Sequence, residues 1–153
     1  MGNTILLKGR GTRLEMVSGG TITPGDLVMV NSSNLLVRHS TAKGQAMPAF
    51  AVENDLEGKT IDDNYVVNDY VQSEIMRTGD EILARVAASA SAIVIGDFLE
   101  SAGDGTLRKL TPSSQSGTTP FAVTPAGLAV AQAIEAVDNS AGGSAVRIKV
   151  RIL

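Results

Sequence analysis

The 153 residues carry 13 basic and 16 acidic side chains, a net charge of −3 that suits neither nucleic acid nor an anionic membrane surface. With no cysteine and one histidine, His39, the sequence has no thiolate metal set, disulfide, cysteine nucleophile or multi-histidine centre. No apolar run approaches the ~20 residues of a membrane-spanning helix, and no signal-peptide core opens the chain, so synthesis in the cytoplasm is expected.

Valine, isoleucine and threonine supply 37 residues, and branching at Cβ favours a pleated sheet over a helix. Only five residues are aromatic, too few for a base-stacking or sugar-stacking platform. The first predicted strand is Ile5-Leu6-Leu7, followed by the basic, glycine-broken segment Lys8-Gly9-Arg10-Gly11-Thr12-Arg13. Residues 1–20 read as an N-terminal arm plus first strand. In the sharper version the arm adds to another subunit's sheet edge, with Ile5, Leu6 and Leu7 as anchors and Lys8, Arg10 and Arg13 meeting acidic neighbours. Gly9-x-Gly11 lacks the rest of a dinucleotide loop.

From Thr21 onward the pattern predicts one β domain, residues 21–153. Leu27-Val28-Met29-Val30, the turn Asn31-Ser32-Ser33-Asn34 and Leu35-Leu36-Val37-Arg38 form a predicted hairpin. The outline recurs 71 positions on: Ile22 matches Ile93, Gly25-Asp26 matches Gly96-Asp97, Leu36 matches Leu107 and Arg38 matches Lys109. Downstream, Ala49-Phe50-Ala51-Val52-Glu53 resembles Ala131-Gln132-Ala133-Ile134-Glu135. The domain is therefore expected to hold two pseudo-repeated halves, about 21–86 and 87–153. Extra residues of the second half fall in the Ser/Thr/Pro-rich stretch Thr111–Pro125, a predicted surface loop. Thr124-Pro125 is a possible helix start, but the match between halves makes Leu128–Glu135 a strand.

Between the halves, Ile75, Ile82 and Val86 alternate with Arg77, Glu81 and Arg85 as in a half-buried strand pair. At the end, Val146-Arg147-Ile148-Lys149-Val150-Arg151-Ile152 alternates with period two, placing four aliphatics on one face and three cations on the other. Those cations, Arg147, Lys149 and Arg151, are a second candidate contact set, ranked below a solvated strand face.

Three Gly-Asp pairs precede apolar runs: Gly25-Asp26, Gly79-Asp80 and Gly96-Asp97. Glycine supplies positive φ and aspartate closes a turn on a nearby N–H, so these are structural turns, as is Asp104-Gly105. The carboxylates Glu53, Asp55, Glu57, Asp62, Asp63 and Asp69 lack the alternating order of a calcium loop and read as solvated. His39 reads as a satisfied or exposed histidine, and Asn31-Ser32-Ser33 as a turn. No catalytic residue, metal ligand or cofactor site is expected.

The I-x-x-G-D hairpins, the A-x-A-[VI]-E strands, the small-residue lead Ala87-Ala88-Ser89-Ala90-Ser91-Ala92 and the final V-R-I-K-V-R-I strand together resemble the head decoration, or capsid cement, proteins of tailed bacteriophages. The resemblance implies a mainly β fold, a small β-barrel or two packed antiparallel sheets of β-tulip or β-clip type, with an extended N-terminal arm. It implies a non-enzymatic homotrimer on the outer surface of the expanded head, with the major capsid protein as partner. The alternatives are another virion component (a tail-tube or head-fibre module) and a β-clip carbohydrate-handling accessory domain.

Overall fold

The computed structural model describes residues 4–111 and 129–153, which are mainly β, with a single short 3₁₀ turn at Asp55–Glu57. In chain order the strands are β1 (Leu6–Lys8), β2 (Thr12–Val17), β3 (Val28–Val30), β4 (Leu36–Arg38), β5 (Ala49–Ala51) and β6 (Tyr70–Ile75). They continue with β7 (Glu81–Val86), β8 (Phe98–Ser101), β9 (Leu107–Lys109), β10 (Ala131–Ala133) and β11 (Val146–Ile152).

Five strands close into a barrel in the order β7-β11-β10-β8-β9, sealed by a parallel contact between Val86 and Leu107. The alternation in β11 explains the long β7–β11 ladder: Ile148, Val150 and Ile152 are buried, and the cations between them face outward. A second ring has the same order. β2-β6-β5 is a continuous sheet, the Leu27–Phe50 bridge joins it to the β3–β4 hairpin, and a parallel bridge from Ser18 to Leu36 closes it.

The two rings match in register as well as in order. In the β3–β4 hairpin Val28 faces Arg38 and Val30 faces Leu36; 71 positions later Leu99 faces Lys109 and Ser101 faces Leu107. Ala49 faces Ile75 as Ala131 faces Ile152, and Ala51 faces Ser73 as Ala133 faces Val150. These pairings make β2 the counterpart of β7, and β6 that of β11. The first ring thus starts at Thr12, inside the segment read as arm plus first strand, and β7 belongs with the second ring.

Each ring has its own apolar centre. Ile22, Val28, Leu36, Ala49, Ala51, Tyr65 and Val71 fill the first. The second gathers Ile82, Ala84, Val86, Leu99, Leu107, Ile148, Val150 and Ile152, and it also takes Ile5, Leu27, Phe50 and Met76 from the other half. β5 is buried throughout: Ala49 and Ala51 turn into the first centre while Phe50, between them, packs in the second. The molecule is two small barrels fused through side chains of the first that plug the second.

In place of an arm extended away from the body, residues 5–8 lie on the chain's own second barrel. Leu6 faces Ile82 and Lys8 faces Glu81 across a bulge, and Ile5 is fully buried. An apolar triplet beside an open strand edge buries its first residue there and satisfies the Leu83 N–H with the Ile5 carbonyl at 2.8 Å. The expected strand Leu128–Glu135 is shorter: of its described residues 129–135, Ala131–Ala133 (β10) form strand and Ile134-Glu135 bend away, while Leu128 and residues 112–125 of the Ser/Thr/Pro-rich stretch lie outside the described residues.

Candidate functional site

The Gly-Asp pairs form one repeated device. In each, the glycine has φ between 94° and 97°, and the aspartate Oδ2 accepts the N–H three residues upstream. The distances are 2.8 Å for Thr23–Asp26, 2.9 Å for Arg77–Asp80 and 2.9 Å for Val94–Asp97. A fourth copy, unnoticed in the sequence because asparagine replaces glycine, is Val66-Val67-Asn68-Asp69, with Asn68 at φ 71° and Val66 N–H on Asp69 at 2.8 Å. Asparagine tolerates left-handed backbone better than other non-glycine residues, which allows the exchange. At Asp104-Gly105 the Asp104 carboxylate accepts Thr106 N–H at 3.0 Å, and Gly105 has φ 84°.

Two of these aspartates are also ionic partners at equivalent places. Asp26 Oδ2 takes Arg38 Nε at 2.9 Å, and Asp97 Oδ2 takes Lys109 Nζ at 2.9 Å, the pairs standing 71 positions apart. Their surroundings differ. Asp26 is wholly buried at the joint between the barrels, where Arg85 Nη1 of the second barrel reaches its Oδ1 at 2.7 Å. Burial pushes its carboxyl up, opposed by Arg85, the Thr23 N–H and Arg38. The Val94 N–H and then Lys109 hold the Asp97 carboxyl below its ordinary value.

Other polar groups at the joint are likewise engaged. His39 is buried, with Nδ1 on Ser101 Oγ at 2.7 Å and Nε2 on the Gln45 carbonyl at 3.1 Å. The buried Ser101 hydroxyl and this ring bridge the two barrels, and Ser101 Oγ also accepts the Gly103 N–H at 3.2 Å. Arg147 lies across the joint on the Pro24 and Ile61 carbonyls and on Asp62 Oδ1 at 2.8 Å. Arg151 pairs with Glu81 at 2.9 Å, which holds the Glu81 carboxyl down, and Lys149 is exposed. The acidic stretch does not converge: among the described residues no group of three His, Asp or Glu is placed to hold a metal ion. A cleft of about 430 Å³ carries Lys43, Arg108 and Lys109, but Arg108 is paired with Glu100 and Lys109 with Asp97, both at 2.9 Å.

Of the predicted contact residues, Ile5 is committed to the core and donates its N–H to Glu53 Oε2 at 2.9 Å. Leu6 is half-buried, while Leu7, Lys8, Arg10 and Arg13 are exposed. Arg13 leans on its neighbours, with Nη1 on Gln72 Oε1 at 2.6 Å and Glu74 at 3.7 Å.

Among the described residues, exposed large apolar side chains recur at two turns elsewhere. In the turn Val66-Val67-Asn68-Asp69-Tyr70, Val67 is 55% and Tyr70 73% exposed; in Val94-Ile95-Gly96-Asp97-Phe98, Ile95 is 68% and Phe98 47% exposed. The same pattern, V-[VI]-[NG]-D-[YF], appears once in each barrel and presents three apolar side chains to solvent each time. It was readable as a repeat of sequence. Its exposure was not, because period-two alternation does not say which face a short edge strand shows to water. Soluble proteins seldom leave such clusters bare without a binding use.

No protein-family model matches the sequence, and no curated protein matches it. Among solved structures, the chain is similar to the N base of head fibre gp8.5 of bacteriophage phi29, at 13% identity and a TM-score of 0.51, over 94% of this chain and 98% of that one. That likeness covers both barrels and shows the fold.

Proposed function

We propose that this chain is a non-enzymatic structural protein of a bacteriophage head, an attachment body that docks on the outer shell. The observation that carries the reading is the fold shared, over nearly the whole of both chains, with a phage head-fibre base. The side-chain arrangement supports it: the buried Asp26 and His39 close a turn and tie the two barrels together, and two turns expose apolar side chains. Such a body needs surface complementarity, and several modest contacts repeated on a symmetric shell multiply in effect. The major capsid protein is the partner this reading requires. Val66, Val67 and Tyr70 with Val94, Ile95 and Phe98 are the contact candidates, and the exposed Leu7, Lys8, Arg10 and Arg13 are a second set.

The fold likeness favours the base of a head fibre. A cement role, in which a trimer bridges capsid subunits, is the second reading, supported by two apolar turns of like sequence, one in each barrel, that let one chain touch two neighbours. Sedimentation of the purified chain with undecorated expanded heads tests the proposal. We expect saturable co-pelleting at micromolar concentration, and a chain left in the supernatant overturns it. Heat or shear resistance of loaded heads then separates the two roles: cement raises it, a fibre base leaves it unchanged.

A further inference from the structure

The matching registers allow the outer edges of β2 and β7 to be compared atom by atom, and one is filled where the other is bare. Ser18 and Val86 are equivalent, since each makes the parallel closing contact with its barrel's hairpin, at Leu36 and Leu107. Counting back, Val17 matches Arg85 and Glu15 matches Leu83. On β7 the outward N–H groups of Leu83, Arg85 and Ala87 have acceptors: the Ile5 carbonyl at 2.8 Å, Gly25 at 3.0 Å and Leu107 at 2.9 Å. On β2, Gly19 N–H reaches the Leu36 carbonyl at 2.8 Å, but Val17 and Glu15 have no backbone acceptor among the described residues.

Burial tells the same story. Ile82 and Ala84, beneath β1, are fully buried, whereas their counterparts Leu14 and Met16 are only partly so. Among the described residues, the first barrel has no counterpart of the stave that Ile5–Lys8 supplies to the second. Arg13 and Glu15, exposed on the bare strand, keep that edge soluble in the free chain.

We propose that the β2 edge, Arg13–Val17, accepts an extended strand from a partner polypeptide, running antiparallel to β2. The strand places a large aliphatic over Leu14 and Met16 and gives its carbonyl to the Glu15 N–H. The occupant's chemistry is that of β1, the strand seated at the equivalent place: an aliphatic residue turned inward, a second half-buried, and a cation at the solvent end. This acceptor edge stands whether or not the partner belongs to a phage head.

A peptide spanning Thr4–Arg10 is the probe, because the chain's own copy already occupies β7. In the free protein the Glu15 and Val17 amides should exchange with solvent far faster than those of Leu83 and Arg85. Saturating peptide should slow Glu15 by roughly tenfold or more, and the Ile5→Asp peptide should not. The protein variant Glu15→Pro, which removes the edge donor without touching a fold hydrogen bond, should lose peptide binding while keeping its melting temperature. The proposal is overturned if the two amides are already as protected as Leu83 and Arg85 in the monomer, or if millimolar peptide leaves Glu15 unchanged. Equal protection by the Ile5→Asp peptide, or protection through self-association of the protein alone, overturns it as well.

Discussion

Asp26 accepts a hydrogen bond from Arg85 Nη1 at 2.7 Å across the joint between the barrels, while its counterpart Asp97 pairs, among the described residues, with the cation Lys109 on its own hairpin. The same pair, aspartate to cation along a hairpin, is a buried connector in one barrel and a more exposed pair in the other. Removing one partner of a buried pair strands the other charge, whereas surface pairs contribute little. We expect Asp26→Asn to cost about 2–4 kcal/mol in urea unfolding and Asp97→Asn to cost clearly less. Equal losses would show that Asp26 is not the connector described here.

The turn glycines offer a controlled comparison of strain with clash. Gly25 and Gly96 have φ of 95° and 97°, so alanine is strained equally at both. At Gly25 a Cβ would also come within 2.9 Å of the Leu83 carbonyl, while at Gly96 nothing lies within 4 Å. Gly96→Ala should cost about 1 kcal/mol and Gly25→Ala at least twice that, with the excess measuring how tightly the barrels meet.

Tyr65 gives the molecule an alkaline limit. Its hydroxyl donates to the Val52 carbonyl at 2.7 Å inside the first barrel, and burial pushes the phenol up to about 12. A folded value above the unfolded one means the stabilisation is complete below about pH 10 and is lost as pH rises towards 12. Ultraviolet titration should show a tyrosine ionising near 12 that is absent from Tyr65→Phe, and the variant's stability should lose that slope. A phenol titrating at its ordinary value would contradict the buried placement.

The barrels carry one ion pair with its charges exchanged. Arg13 faces Glu74 across β2–β6 where Glu81 faces Arg151 across β7–β11. Glu81→Arg alone places like charges opposite each other and should lower the melting temperature; adding Arg151→Glu should recover most of the loss. A double variant no better than the sum of its singles would mean that the pair is not coupled.

The exposed apolar turns should matter for attachment and not for folding. Val67→Asp and Ile95→Asp change side chains that are 55% and 68% exposed, so melting should stay nearly constant. Co-sedimentation with heads should weaken for each and fall further for both together. Unchanged co-sedimentation would move the contact to another face.

The β character, the hairpins at 71-residue spacing and the turn chemistry were legible in the residue pattern. Period-two alternation and Gly-Asp pairs are local signals, set by side-chain geometry within a few residues. Even the Arg38–Lys109 match proved structural, because both cations find their aspartates. What only the tertiary structure decided is where each copy ends and which surfaces meet. A triplet such as Ile5-Leu6-Leu7 reads the same whether it seats on its own barrel or on a neighbour's, since the choice depends on which edge the folded chain leaves open. Phe50 and Leu27 likewise look like ordinary strand residues until two rings press together and bury them from the second side. Burial and edge occupancy are properties of pairs of elements far apart in the chain, and no local pattern encodes them.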